Sequence, residues 1–357
     1  MKIAVYTIAL NEEQHVNRFM DCLQDEADAV YVTDTGSTDR TVQGLRDRGA
    51  HVSTALVKPW RFDTPRNISL AYVPEDVDIA VCIDLDEVLT PGWRAAVEKA
   101  WTPETTRLRY QYAWSHNADG SPGVSFWYDK IHTRKNYRWV KPVHEILQIY
   151  GQQEVQTFSE GFMLHHWPDA TKSRSSYLPL LELAVKEEPD DDRSSHYLGR
   201  EYMYYGEPEK AIIELKRHLS LPRAAWYAER CASMRFIARC CSTLGRHDEA
   251  LAWALKACAE SPSDREPWYD LACVAYKTPV QDWQTVRFAC QKALSITARP
   301  TSYICEPAAW NHELYDYLAL ASWNLGDKAS AIAAGQKALD LNPVDGRLAD
   351  NLKFYTA

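Results

Sequence analysis

Apolar and polar positions follow two rhythms along this chain. Up to about residue 90, short apolar runs are separated by stretches with helical spacing. Lys2–Leu10, Ala29–Ser37, His51–Val57 and Asp78–Asp86 read as buried strands, each a near-continuous apolar run that ends in polar residues. Helices are predicted between them, from Glu12 to Leu23, from Thr41 to Arg48 and from Pro65 to Val73. Such β-α-β alternation predicts a mostly parallel sheet, with ligands expected beyond the carboxyl ends of its strands. From about 100 to 170 the pieces are short, aromatic and strand-like, separated by Gly, Pro and Asn, and are expected to extend the sheet or cap its rim.

After Thr171 the pattern is helical to the end, and it repeats. Tyr197–Leu215, Met234–Ala257 and Tyr315–Pro343 each read as a helix, a Leu-Gly or Tyr-Gly step, and a second helix that starts near an alanine. Pro189, Pro222, Pro262 and Pro343 close units. These are the marks of a helical-hairpin solenoid of the tetratricopeptide kind, irregularly spaced. The expected organisation is an α/β domain over 1–170 and an all-α repeat domain over 171–357. The small residues of the last repeat suit close helix packing, and a homodimer through the repeats is expected.

Composition narrows the class. The net charge is -9, with 17 basic and 24 acidic residues before Thr171 and 23 and 25 from there on. Neither part advertises a grip on a nucleic-acid backbone. Nine cysteines, an odd number without a CxxC pair, read as reduced thiols. No run approaches the ~20 apolar residues of a membrane span, and a soluble, cytoplasmic protein is expected.

The chemistry gathers at strand ends. In "VCIDLDEVLT", Asp84 and Asp86 lie two apart; on a strand both would face one side, and two hard oxygen ligands suit Mg2+ or Mn2+ on a diphosphate. By itself such a pair is equally a solvated turn. In "VTDTGSTDRT", Asp34 and Asp39 flank Gly36 and can take ribose hydroxyls or a base N–H; the alternative is an Asx-turn with a Ser37 or Thr38 helix cap, and the two are compatible. "TIALNEE" places Asn11 and Glu12 at the end of the first strand.

In their order and spacing, "TIALNEE", "TDTGSTDRT", "FDTPRNISL" and "CIDLDEVLTPGW" resemble the GT-A domain of glycosyltransferase family two, over roughly residues 1 to 170. The resemblance implies a Rossmann-like nucleotide half and inverting transfer of a sugar, hexosyltransferase-like, from a nucleotide carrier with a divalent cation, UDP being the carrier it favours over GDP or dTDP. It implies a donor site of Thr7, Leu10, Asn11, Glu12, Asp34, Gly36, Asp39, Arg66, Asp84 and Leu85. It also implies metal ligation by the DxD acids Asp84 and Asp86, with a histidine completing the set; His166, before Trp167-Pro168, fits that place better than His165. The later acidic pair of many members is missing. "VKPVHEIL" resembles instead the His-Glu of the subgroup fused to tetratricopeptide repeats, which includes peptide glycosyltransferases. An inverting transfer needs a base for the acceptor hydroxyl or thiol, so Glu145 is the expected base, with Asp129 and Glu87 in reserve, and Asp86 is counted with it as catalytic.

Three other roles stay open at this level. Arg66 can fork to phosphate, or simply pair with Asp63. Trp127 or Tyr128 can stack an acceptor in the Gly- and aromatic-rich stretch before them, or fill a hairpin core. A polymeric acceptor, peptide or protein, is favoured by the repeats over a modified DNA base or a surface-glycan precursor. The competing class is a tetratricopeptide scaffold with a degenerate, non-catalytic α/β domain; a nucleotidyltransferase would show a Gly-rich basic loop that "ALNEEQH" lacks.

Overall fold

The computed structural model describes residues 1–117, 119–169 and 176–357. The chain divides into two compact units: one of Met1–Leu180 with Thr301–Tyr303, the other of Leu181–Pro300 and Ile304–Ala357. The expected boundary at 170/171 lies outside the described residues.

The first unit is built on an eight-stranded mixed sheet. Its strands are β1 (Ile3–Ala9), β2 (Ala29–Asp34), β3 (His51–Thr54), β4 (Ile79–Cys82), β5 (Glu87–Leu89), β6 (Arg107–Ala113), β7 (Ser125–Thr133) and β10 (Gln156–His166). They lie in the order β3-β2-β1-β4-β7-β6-β10-β5. β3, β2, β1 and β4 run parallel, β7 is antiparallel to both β4 and β6, β10 is parallel to β6, and β5 is antiparallel to β10. Three of the aromatic pieces after residue 100 therefore extend the sheet. The other two, β8 (Tyr137–Val140) and β9 (Ile146–Ile149), form a separate antiparallel hairpin.

Period-two geometry explains why β1 is apolar throughout. Ile3 and Val5 pack on one face with Phe19, Leu23 and Leu45, from α1 (Val16–Asp21), the loop after it and α2 (Thr41–Asp47). Ala4 and Tyr6 pack on the other with Leu70 of α3 (Asp63–Tyr72) and with Tyr137, Trp139 and Leu147 of the β8-β9 hairpin. A strand covered on both faces has no place for alternating polar residues. Each of the buried Ile, Val, Leu and Phe side chains contributes roughly 1.5–3 kcal/mol by leaving water. The short helix α4 (Trp93–Ala100) packs on β10, and its Trp93 is fully buried.

Several boundaries differ from the sequence expectation. α1 begins at Val16 rather than Glu12, because Asn11, Glu12 and Glu13 donate their backbone N–H groups to Ser37 Oγ, Thr41 Oγ1 and Asp39 Oδ2 instead of entering a helix. β4 stops at Cys82, so Asp84 and Asp86 lie in the turn before β5 and not on a strand. α2 has no side-chain cap from Ser37 or Thr38. No described helix is long and apolar enough to cross a membrane, and all nine cysteines are free thiols.

The second unit is a run of helical hairpins. After α5 (Tyr177–Glu187), through which the division between the units passes, α6 (Asp192–Tyr204) pairs with α7 (Pro208–Ser220) and α8 (Tyr227–Thr243) with α9 (His247–Glu260). α10 (Arg265–Tyr276) then pairs with α11 (Trp283–Ser295), α12 (Glu313–Asn324) with α13 (Lys328–Leu341), and α14 (Gly346–Thr356) closes the chain. Gly206, Gly245 and Gly326 turn three of the hairpins with φ near +75° (73, 71 and 79), the left-handed step that ends a helix without a Cβ penalty. The fourth residue of each second helix, Ala211, Ala250, Val286 and Ala331, is fully buried against its partner. The α10–α11 hairpin escapes a reading based on Leu-Gly steps because its turn has no glycine and Gln281 takes the positive φ of 47°. Each of Pro189, Pro222, Pro262 and Pro343 follows two residues after a helix, where a residue without an N–H stops it cleanly.

Candidate functional site

The polar loops that follow β1, β2 and β4 emerge together, because parallel strands put their carboxyl ends on one side of the sheet. The first two loops are laced together. Asn11, in the left-handed region at φ 54°, accepts from Thr38 N at 2.8 Å and donates its own N–H to Ser37 Oγ at 2.9 Å. Asp34, buried at the end of β2, accepts from Gly36 N and Ser37 N, an Asx-turn. Gly36 sits at φ 115°, and a Cβ there would meet Leu56 Cδ2 at 3.0 Å. Asp39 accepts from Thr41 N and Oγ1 and from Glu13 N; burial works against its charge, but these donors outweigh it and its pKa is lowered. Glu12 is enclosed beside His15, its carboxylate 3.9 Å from the imidazole.

The donor-site residues of the sequence reading thus divide by exposure. Leu10 and Asn11 are open at the rim. Thr7 is wholly buried in β1, its carbonyl accepting from Ser69 Oγ at 2.7 Å, and Leu85 is 2% exposed and part of the sheet core.

Beyond β4 the chemistry becomes ionic. Asp84 is gripped by Arg66, with Nη1 2.8 Å from Oδ1 and Nη2 3.2 Å from Oδ2, and by Lys130 Nζ, 3.1 Å from Oδ2. Burial opposes the charge on Asp84, but the two cations outweigh it and hold its pKa far below the usual carboxylate range. Lys130 is the converse: burial would lower its pKa, and Asp84 and Glu87 raise it. Arg66 reaches Glu145 as well, Nε to Oε1 at 2.5 Å, and lies over the Trp139 ring at 5.2 Å. Asp63 pairs with Arg61, both contacts at 2.7 Å, and not with Arg66.

The register delivers each partner. β7 pairs with β4 through Val81 and Ile131, so Lys130, the next β7 residue toward its start, flanks the end of β4. Glu145 comes from the β8–β9 loop, where Lys141 and His144 take positive φ of 84° and 49°, uncommon for residues with a side chain. That hairpin is tied to α3 by reciprocal bonds of Asn67 with the Trp139 backbone, both 2.8 Å.

Asp86 faces away from this clamp. Its Oδ2 is 3.4 Å from His166 Nε2, placed there by the β10–β5 pairing of His166 with Glu87. His166 Nδ1 is 3.2 Å from the Trp114 carbonyl, an acceptor, so Nδ1 carries a proton. In the neutral ring Nε2 then offers a lone pair to a carboxylate oxygen. At this separation the two can share a proton or a cation. Burial lowers the His166 pKa, but the hydrogen bond to Asp86 and its charge outweigh this and raise it. A carbonyl-oriented imidazole beside a carboxylate is also how metal-bound histidines are usually set, so this pair fits a divalent cation. His165, on the opposite face of β10, bonds His116 at 2.8 Å, and burial lowers its pKa. The structure brings His166 and Asp86 together, and turns Asp84 toward Arg66 and Lys130 instead.

The reserve acids occupy different places. Glu87 is 2% exposed, accepts from Asp84 N at 2.8 Å, and has its pKa raised by burial. Asp129 points with the other face of β7 and accepts from Arg107 Nη1 at 3.2 Å. On that face Trp127 meets Phe158 edge to face at 5.3 Å, whereas Tyr128 packs on Tyr112 at 4.6 Å. The sequence reading misses Lys130, though a signal exists: it stands in the aromatic β7 run between Tyr128 and Ile131, where a lysine needs a buried acid.

Comparison with known proteins finds the repeats. Residues 312–345 match the family model "Tetratricopeptide repeat". No curated protein matches the chain in sequence. Among solved structures the chain is similar to that of the APC/C hetero-tetramer Cut9-Hcn1, at 18% identity and TM-score 0.41 over 51% of this chain and 33% of that one. It is also similar to MamA, at 18% identity and TM-score 0.39 over 51% and 99%, and to TTC0263, a tetratricopeptide protein of Thermus thermophilus, at 19% identity and TM-score 0.37 over 51% and 90%.

Proposed function

We propose that the first unit is an inverting, cation-dependent glycosyltransferase of the GT-A type, and that the repeat unit binds a protein as acceptor or partner. The Asp86–His166 pair carries the catalytic half of this reading. It follows the carboxyl end of β4, on the side of the sheet where the loops carrying Asn11, Asp34 and Asp39 also emerge. Asp86 and His166 would hold Mn2+ or Mg2+, which when bound supplies charge neutralisation to a leaving diphosphate. The chain's own residues do the rest. Arg66 holds Asp84 and Glu145 on one guanidinium, so the first acid of the DxD pair and the proposed base are fixed relative to each other. Glu145 would take the proton of the attacking hydroxyl or thiol. The Asx-turn at Asp34 and the Asn11–Thr38 bond keep the nucleoside loops in one conformation. UDP is the proposed carrier, and a peptide or protein the proposed acceptor.

A second reading has the more direct support from comparison: a protein-binding scaffold. The match of residues 312–345 to the tetratricopeptide repeat favours it, because stacked helical hairpins offer extended surfaces for partners. Release of nucleoside diphosphate from UDP-, GDP- or dTDP-sugars, with Mn2+ or EDTA, separates the two. The transferase reading expects cation-dependent release with one donor class and a fall of about a hundredfold in Asp86→Asn and His166→Asn. Release unaffected by EDTA and by both substitutions contradicts the metal assignment. No release from any donor leaves the scaffold.

A further inference from the structure

The repeat unit contains a second group of metal-ligating side chains, unrelated to the site above. Asp192 opens α6, His218 lies in the last turn of α7, and Glu229 in the first turn of α8. In consecutive antiparallel helices these three positions fall at one end. One ligand atom of each lies within 4.8 Å of the others, the one such triad of His, Cys, Asp and Glu among the described residues. His218 is wholly buried, yet its Nε2 has no hydrogen-bond partner among the described residues; the Glu229 carboxylate is 3.8 Å away, beyond hydrogen-bonding range. Nδ1 of the same ring is engaged by Ser233 Oγ at 2.9 Å, and that hydroxyl also meets His196 Nδ1 at 2.7 Å. If Ser233 donates to His196 and accepts from His218, the His218 proton sits on Nδ1 and the Nε2 lone pair faces the two acids. We propose that Asp192, His218 and Glu229 bind a divalent transition-metal ion of the Zn2+ class, joining the first three repeat helices.

The surroundings agree. One imidazole and two carboxylates, without thiolates, form a set that Zn2+ accepts in four-coordinate geometry with water in the fourth place. Ligand atoms around such an ion stand ~3.4 Å apart, and the partly exposed Asp192 can swing inward to reach that spacing. The hydroxyl that fixes His218 from behind is the outer partner a ligating histidine commonly has. Burial pushes the His218 pKa down to about 4, so the ring is neutral, the form that ligates. The two arginines whose charges act on His218 are engaged with other acids, Arg217 with Glu214 and Arg230 with Glu260, both at 2.6 Å.

The test uses the full chain carrying Asp86→Asn and His166→Asn, so that the first unit's pair adds nothing to the count. Zn2+ is titrated against a chromophoric chelator. The site predicts one equivalent bound, and slower amide exchange in α6 to α8 when Zn2+ is present. Adding Asp192→Asn, at a partly exposed position that leaves the core intact, should weaken binding at least about tenfold, and His218→Gln should abolish it. Circular dichroism confirms that each variant is folded. Absence of stoichiometric Zn2+ binding in the parent chain overturns the proposal. So does an affinity that Asp192→Asn and His218→Gln, both folded, leave unchanged.

Discussion

Replacing Arg66 with Met tests the ionic clamp. Arg66 is 5% exposed and makes two contacts to Asp84 and one to Glu145. At an effective dielectric constant of about 20, each ion pair at about 4 Å attracts by about 4 kcal/mol. Burying the charges costs several kcal/mol per ion, so removing one partner of such a buried pair costs about 3–5 kcal/mol because a carboxylate is left uncompensated. Asp84 retains Lys130, so the greater loss falls on Glu145. We expect Arg66→Met to destabilise the first unit by about 4 kcal/mol. Arg66→Met/Glu145→Gln should recover about 1–2 kcal/mol of that, since it removes the stranded charge. Exchange of the β1 and β4 amides followed by mass spectrometry reads the first unit directly. The single variant should speed their exchange about a thousandfold. Exchange within about threefold of the wild type, or a double variant less stable than Arg66→Met, would refute the clamp.

Other outcomes follow from single features. His132 is fully buried in a chain in which Trp139 Nε1 donates to Tyr6 OH, Tyr6 meets His132 Nε2 and His132 Nδ1 meets the Thr133 carbonyl. Burial pushes its pKa down to about 3. The unfolded chain therefore binds the extra proton, and first-unit stability should be full above about pH 6.5 and fall toward pH 3 by about 4–5 kcal/mol, with a slope that His132→Gln shrinks by about one proton. In the repeats, burial works against the Glu306 charge, but Arg235 and Arg239 outweigh it and hold its pKa at about 2. Its contribution is present above about pH 4.5 and lost as pH falls toward 2, so Glu306→Gln should flatten the acid limb of repeat-unit stability by up to about 3 kcal/mol in urea titrations. Gly245→Ala puts a Cβ into open space but at φ 71°, and should cost about 1–2 kcal/mol in the same assay.

Legibility in the sequence follows the locality of the signal. β1 to β4, the helices between them and three of the four repeat hairpins are readable, because apolar periodicity and Gly and Pro punctuation are local. The start of α1 is not, since Asn11 to Glu13 give their N–H groups to a loop 26 to 29 residues away. A strand ending at Asp86 would put Asp84 and Asp86 on one face; the turn that holds them sends one to Arg66 and Lys130 and the other to His166. The Arg66–Glu145 pair spans 79 residues and depends on the register of the β8–β9 hairpin. Asp192, His218 and Glu229 have no motif spacing at all and meet only because three helices end together.

The most direct test of a nucleotide-sugar site is the melting temperature of the full chain against UDP-, GDP- and dTDP-sugars, with and without Mn2+. A ligand bound only by the folded state raises that temperature by mass action. The account predicts a rise with one nucleotide class, seen only with Mn2+ and lost in Asp86→Asn. No rise with any donor, or one that ignores the cation and persists in Asp86→Asn, would contradict it and leave the repeats as the functional half.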